Sequence, residues 1–292
     1  MVLESIRSKS PRYLARMTGF YLSVVVFVLI WLLAFNFVLY ASVVSWVDPV
    51  LSDTIHFVHD ISLATWVWVW GLAMVVQLYR PAARVTAMQV ALILTTIDLS
   101  TGLVLAPLYT AITPGLAFEA PHFDPSALLF WGPVFVAGAL HPARRDVFEL
   151  EGIRRSDIDP VLLGLAVLAA VPVVLYVLGQ MRFQIVLGDE HAELGHYGTM
   201  TYHGLSMIAL AGLASLRNRG RRFAVYGAGL LATMLAVASV FQPTMSALDT
   251  TWSVLAVLWA LALVGAYEWS VRSDSSGTVV RSREEPEPRA SP

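Results

Sequence analysis

The chain has 292 residues, 57% of them hydrophobic and only 14% charged, and its mean hydropathy is +0.67. Soluble domains carry roughly 25% charged residues, so the deficit excludes an ordinary globular enzyme and marks a polytopic membrane protein. A net charge of −2 gives no electrostatic case for nucleic acid, and the absence of cysteine excludes disulfides, iron–sulfur clusters, thiolate zinc sites and cysteine nucleophiles.

In chain order, apolar runs near the ~20 residues needed to cross ~30 Å of hydrocarbon lie at 18–46, 57–79, 84–107, 126–142, 160–181, 197–216, 222–242 and 251–271. The expected fold is therefore all-α: a polytopic bundle of eight transmembrane helices in one domain, residues 1–272. The first run is too long for a cleaved signal peptide and lacks a small-residue cleavage site. From 273 to 292 the chain is polar, with "REEPEPRASP", and a disordered tail is expected. Lys9 is the one lysine, so no span offers an amine for a retinal-type Schiff base. The bias to arginine points to a GC-rich prokaryotic genome.

Orientation follows from where the bases fall. With eight spans, 18 of the 19 basic residues sort to one side: the N-terminus, the loops near Arg84, Arg145 and Arg219, and the tail, with Arg182 the exception. By the positive-inside rule that side, with both termini, is cytoplasmic, and the expected location is a prokaryotic plasma membrane. The histidines sort the other way. His56, His59, His122, His191, His196 and His203 fall at the outer ends of spans or in outer loops, with Asp48, Asp53, Asp60, Asp98, Glu119, Asp124, Asp189, Glu190, Glu193 and Asp249.

Several of these residues share a layer. At about 1.5 Å per residue, His59, Asp60, Asp98 and His203 come to similar depths in the outer half. An ionisable side chain there needs a partner, and Asp98 in "LTTIDLSTG" is expected to find one among the histidines. His56, His59 and Asp60 fall at i, i+3 and i+4, on one helix face. Glu193, His196, Met200, His203 and Met207 form a stripe if the sixth helix starts near Asp189, a good N-cap. The candidate metal ligands are His56, His59, Asp60, Asp98, Glu193, His196 and His203, and for haem the pair His59 and His203. His122, His191, Glu190 and Asp124 read as solvated rim residues, and His141 as an end cap. For His59, His203 and Asp98 the competing reading is a polar network that glues helices together. Trp66, Trp68 and Trp70, with Trp31, Trp131 and Trp259, read as packing.

Two local resemblances bear on chemistry. "TYHGLSMI", from Thr201 to Ile208, resembles the low-spin haem helix of haem–copper oxidase subunit I, which implies His203 as an axial ligand. The likeness covers eight residues, and that family's copper-ligand histidines are absent. His59 with Ser62, then Asp98, then His196 and His203, is similar in order to the seven-span zinc hydrolases of the alkaline-ceramidase type. The spacing of the late pair departs from that pattern.

The expected function is an outer-leaflet histidine/carboxylate site binding haem or a transition metal (Zn, Cu or Fe), in a redox or cofactor-handling role. The alternatives are a metal-dependent membrane hydrolase, a proton or cation transporter, and an assembly subunit. The implied partners are the lipid bilayer, with a membrane redox partner or a second copy of the chain; whether the protein is an enzyme is open.

Overall fold

The computed structural model describes residues 10–36, 38, 40, 43, 46, 56–113, 127–148 and 157–284, with side chains through Ser273. Among them are helices, one isolated antiparallel bridge between Ile158 and Leu216, and no strand. The expected rim residues His122 and Asp124, and the outer-side acids Asp48, Asp53 and Glu119, lie outside the described residues.

The helices start where local chemistry supplies a cap. Helix α1, Pro11–Ala34, begins with Pro at its first position, and the Ser10 hydroxyl accepts from the Tyr13 backbone N–H at 3.3 Å. Helix α2 is Phe57–Val75, followed by a tight turn to Leu78. Helix α3, Val85–Ser100, passes through a π-helical stretch, Thr101–Leu105, into α4, Ala106–Ile112. The widened turn sits just ahead of Pro107, which has no N–H to give and whose ring crowds the regular i−4 carbonyl. Helix α5 is Ala127–Leu140 and contains Pro133; α6, Arg144–Phe148, is a single short turn. Helix α7, Pro160–Val186, is capped by Asp159, which accepts from the N–H groups of Val161 and Leu162. A short helix α8, Glu190–Glu193, precedes α9, His196–Ser215; α10 is Arg222–Phe241 and α11 Thr250–Glu284.

Six helical rods have the length and apolarity of membrane spans: α1, α2 with its turn, the α3–α4 rod Val85–Ile112, α7, α10, and α11 through Ser273. Multi-pass membrane character follows. Two expected spans fall short for different reasons. Of the run 126–142 the described apolar stretch Leu128–Leu140 is below span length, and α9 carries the polar sequence "HYGTMTYH" through its first two turns. The last helix continues past the expected start of the tail to Glu284.

α2, α9 and α10 bury most of their surface, while α1, α7 and α11 keep broad apolar faces exposed. The tryptophans serve the packing. Trp31 donates to the Val67 carbonyl, Trp66 to Ser206, Trp70 to Thr95 and Trp259 to the Leu165 carbonyl. A Cβ at Gly71 would overlap the Trp31 indole, so α1 and α2 cross only because that position is glycine.

The two ends of the bundle differ chemically. At one end Arg221 pairs with Asp159 at 3.2 Å in a buried salt bridge, Arg16 reaches the Pro142 carbonyl, and Thr86 holds the Arg219 carbonyl. His141 is fully buried at this end, accepting from the Ala143 N–H. The opposite end, where α2 begins, holds His56, His59, His191 and His196.

Candidate metal centre

The start of α2 contributes two rings to this end. His56 stands immediately before the helix and His59 one turn in, so both project from one face. The other two come from the segment between α7 and α9. Asp189 caps α8 by accepting from the Ala192 N–H at 2.9 Å, and also accepts from the Tyr197 hydroxyl at 3.0 Å. The Ala192 bond, with the Tyr197 bond adding to it, holds the Asp189 carboxyl below the usual range.

The expected continuous helix from Asp189 is not what forms. The helix stops after Glu193, and Gly195 takes a left-handed conformation, φ +76°, before α9 starts at His196. Left-handed backbone suits glycine because any Cβ would crowd the following carbonyl. On an unbroken helix five residues turn the chain by about 500°, leaving His191 and His196 roughly 140° apart. The break folds His191 back beside His196. Gln184 of α7 clamps the segment, donating to the Ala192 carbonyl at 2.6 Å and accepting from the Gly198 N–H at 2.8 Å.

The result is a group of four imidazoles. Ring centroids of His56 and His191 are 4.5 Å apart, of His56 and His196 4.8 Å, and of His59 to each of His191 and His196 5.3 Å. His56, His191 and His196 each present a ring nitrogen such that all three lie within 4.8 Å of one another. A tetrahedral ion with bonds of about 2.05 Å sets its nitrogens about 3.4 Å apart, so ring rotations of an ångström or so close the triad on a metal.

His59 forms the wall behind the triad. It is 2% exposed, and its Nε2 lies 2.7 Å from the Ser246 hydroxyl. That hydroxyl donates its one hydrogen to Gln180 Oε1 at 2.7 Å. Ser246 must therefore accept from His59 Nε2–H, which leaves Nδ1 as a bare lone pair. Both His59 Nδ1 and His196 Nδ1 are buried without a hydrogen-bond partner among the described residues. Buried polar atoms are nearly always paired, so orphaned nitrogens in a histidine cluster are the pattern a metal ion would satisfy.

The remaining candidates sit elsewhere. His203 is fully buried, with its two nitrogens each 3.1 Å from a backbone carbonyl, Ser62 on α2 and Leu231 on α10. The structure does not bring it to the cluster, and neither nitrogen faces open space where a haem iron could sit. Asp98 accepts from the Trp131 indole at 2.9 Å, so its partner is a tryptophan of α5 and not a histidine. Asp60 is half-buried on the next position after His59, and Glu193 is exposed at the end of α8. His191, expected as a solvated rim residue, instead joins His56 and His196, and the signal in the sequence is Gly195, which allows the helix to break between the two histidines.

No family model, curated protein or solved structure matches the chain.

Proposed function

We propose that the protein is a prokaryotic plasma-membrane metal-handling protein, with eight spans, both termini in the cytoplasm and the histidine end facing outward. The observation that carries the metal reading is the triad His56, His191 and His196, with nitrogens within 4.8 Å of one another. Neutral imidazoles suit zinc, copper and iron. Three of them leave a fourth position for water, for the Nδ1 of His59, or for an incoming ligand. The orientation rests on the sorting of 18 of 19 bases to the opposite end. A metal ion accounts for the cluster better than haem does, because both nitrogens of His203 already lie against carbonyls.

Metal analysis and an absorbance spectrum of the detergent-purified protein test this reading. The expected result is one equivalent of zinc, copper or iron with no Soret band. His191→Ala and His196→Ala should each remove it, while His203→Ala should retain it at a cost in stability. A Soret band, or metal content unchanged in His191→Ala, overturns the proposal.

A further inference from the structure

Away from the histidine cluster, a pocket of about 240 Å³ opens at the arginine end, between the end of α2 and the starts of α3 and α10. Val76, Ala87 and Phe223 supply an apolar side, and Arg84, Arg222 and Tyr226 a polar one. The guanidinium groups are under-neutralised. Arg84 is exposed and makes no ion pair among the described residues. Among the described residues Arg222 pairs with one carboxylate, Glu268 at 3.5 Å, and its side chain is 66% exposed. Glu268 is already engaged by the Tyr226 hydroxyl at 2.8 Å.

One turn further toward the middle of the bundle, exposed leucines follow on α2 and α10. Leu72 lies a turn before Val76 on α2, and Leu230 a turn after Tyr226 on α10; both are exposed. The profile is cationic at the rim and greasy below. A soluble anion would use the first part and gain nothing from the second.

We propose that this pocket seats the phosphate headgroup of an anionic phospholipid, with Arg84 and Arg222 on the phosphate and an acyl chain running along Leu72 and Leu230. Guanidinium forks match phosphate oxygens in pairs, and basic pockets between spans recognise anionic headgroups. The inference is independent of the metal reading, since it uses the opposite end of the molecule and no histidine.

The test is native mass spectrometry of the full chain, titrated with dioctanoyl phosphatidylglycerol, dioctanoyl phosphatidylcholine or glycerol 3-phosphate. Wild type is expected to hold the glycerol lipid roughly tenfold or more tightly than the choline lipid, the effect of about two unshielded arginines. That preference should fall several-fold in Arg84→Gln and to within about twofold in Arg84→Gln/Arg222→Gln. The equal-charge control Arg144→Gln/Arg145→Gln, exposed and outside the pocket, should keep it. Arg84→Gln removes an exposed side chain with no ion pair among the described residues, so the fold is expected to stay intact. Absence of a preference between the lipids, or an equal loss in the control, overturns the proposal. Glycerol 3-phosphate binding as tightly as the lipid overturns it in favour of a soluble anion.

Discussion

Gly195→Ala should damage metal binding without touching a ligand. The position has φ +76° and nothing within 4 Å of where a Cβ would sit, so the cost is conformational and not steric. Holding an L-residue in the left-handed region costs about 1–2 kcal/mol. The strain is relieved if the chain runs α8 into α9 as one helix, and that swings the His191 ring about 140° away from His196. If the metal-bound form needs the break and the free form can straighten, the strain falls on binding. Affinity should then drop about 5- to 30-fold, at 1.4 kcal/mol per tenfold. The assay is a zinc competition titration on purified protein with a chromophoric chelator, run beside Gly195→Asn and Gly188→Ala. Asparagine tolerates the left-handed region and should recover most of the affinity. Gly188 has open space and no positive φ, so alanine there should bind like wild type. Wild-type affinity in Gly195→Ala would show that the break does not assemble the cluster.

Thermal unfolding in detergent should separate the two ion pairs at the arginine end. Asp159→Asn strips the partner from buried Arg221 and should cost about 3–5 kcal/mol, whereas Glu268→Gln, in the half-exposed pair with Arg222, should cost less than about 1; equal losses would refute the distinction. Ser246→Ala leaves the buried Nε2–H of His59 without an acceptor and should lower stability by about 1–3 kcal/mol, while Ser273→Ala, exposed on α11, should change nothing measurable. Reporter fusions after Arg84, Arg155 and Arg222 should report the cytoplasm and fusions near Asp53, Asp124, Asp189 and Asp249 the exterior; one reversed reporter breaks the eight-span topology.

Much of the helical plan was legible because hydrocarbon forces every backbone polar group to be satisfied within its own segment, so apolar runs of span length become helices. Each of the eight runs contains a described helix. Length and apolarity alone single out six rods, because the two remaining runs break the rule differently. The described residues 128–140 are apolar and below span length, with Pro133 inside, and α9 exchanges apolarity for the polar groups that meet α2 and α7. The capping of α8 by Asp189 was legible too, since an aspartate followed by an acidic turn satisfies orphan N–H groups in any context. The π-helical stretch at Thr101–Leu105 was not, because a single Pro107 does not say whether the helix kinks, stops or widens.

The site divides along the same line between depth and azimuth. Counting residues at 1.5 Å each locates a side chain along the membrane normal. It says nothing of the direction the side chain faces once helices pack. The depth argument put His59, Asp60, Asp98 and His203 in one layer, and of these Asp98 and His203 face neighbours other than the histidine cluster. Asp98 turns to α5 and meets the Trp131 indole; His203 turns between α2 and α10 and meets two carbonyls. His191 was lost for the converse reason. An unbroken helix from Asp189 leaves it out of the stripe of His196, and one glycine in "HAELGHYG" changes its direction by most of a half-turn. The information was present in the residue type, since Gly195 follows a leucine at the end of an acidic turn, where a helix C-terminus commonly takes the left-handed residue. A histidine pair five apart is therefore poor evidence for a shared metal on a straight helix. It becomes good evidence when a glycine stands between the two, because the break that the glycine permits is what lets both rings face the same point.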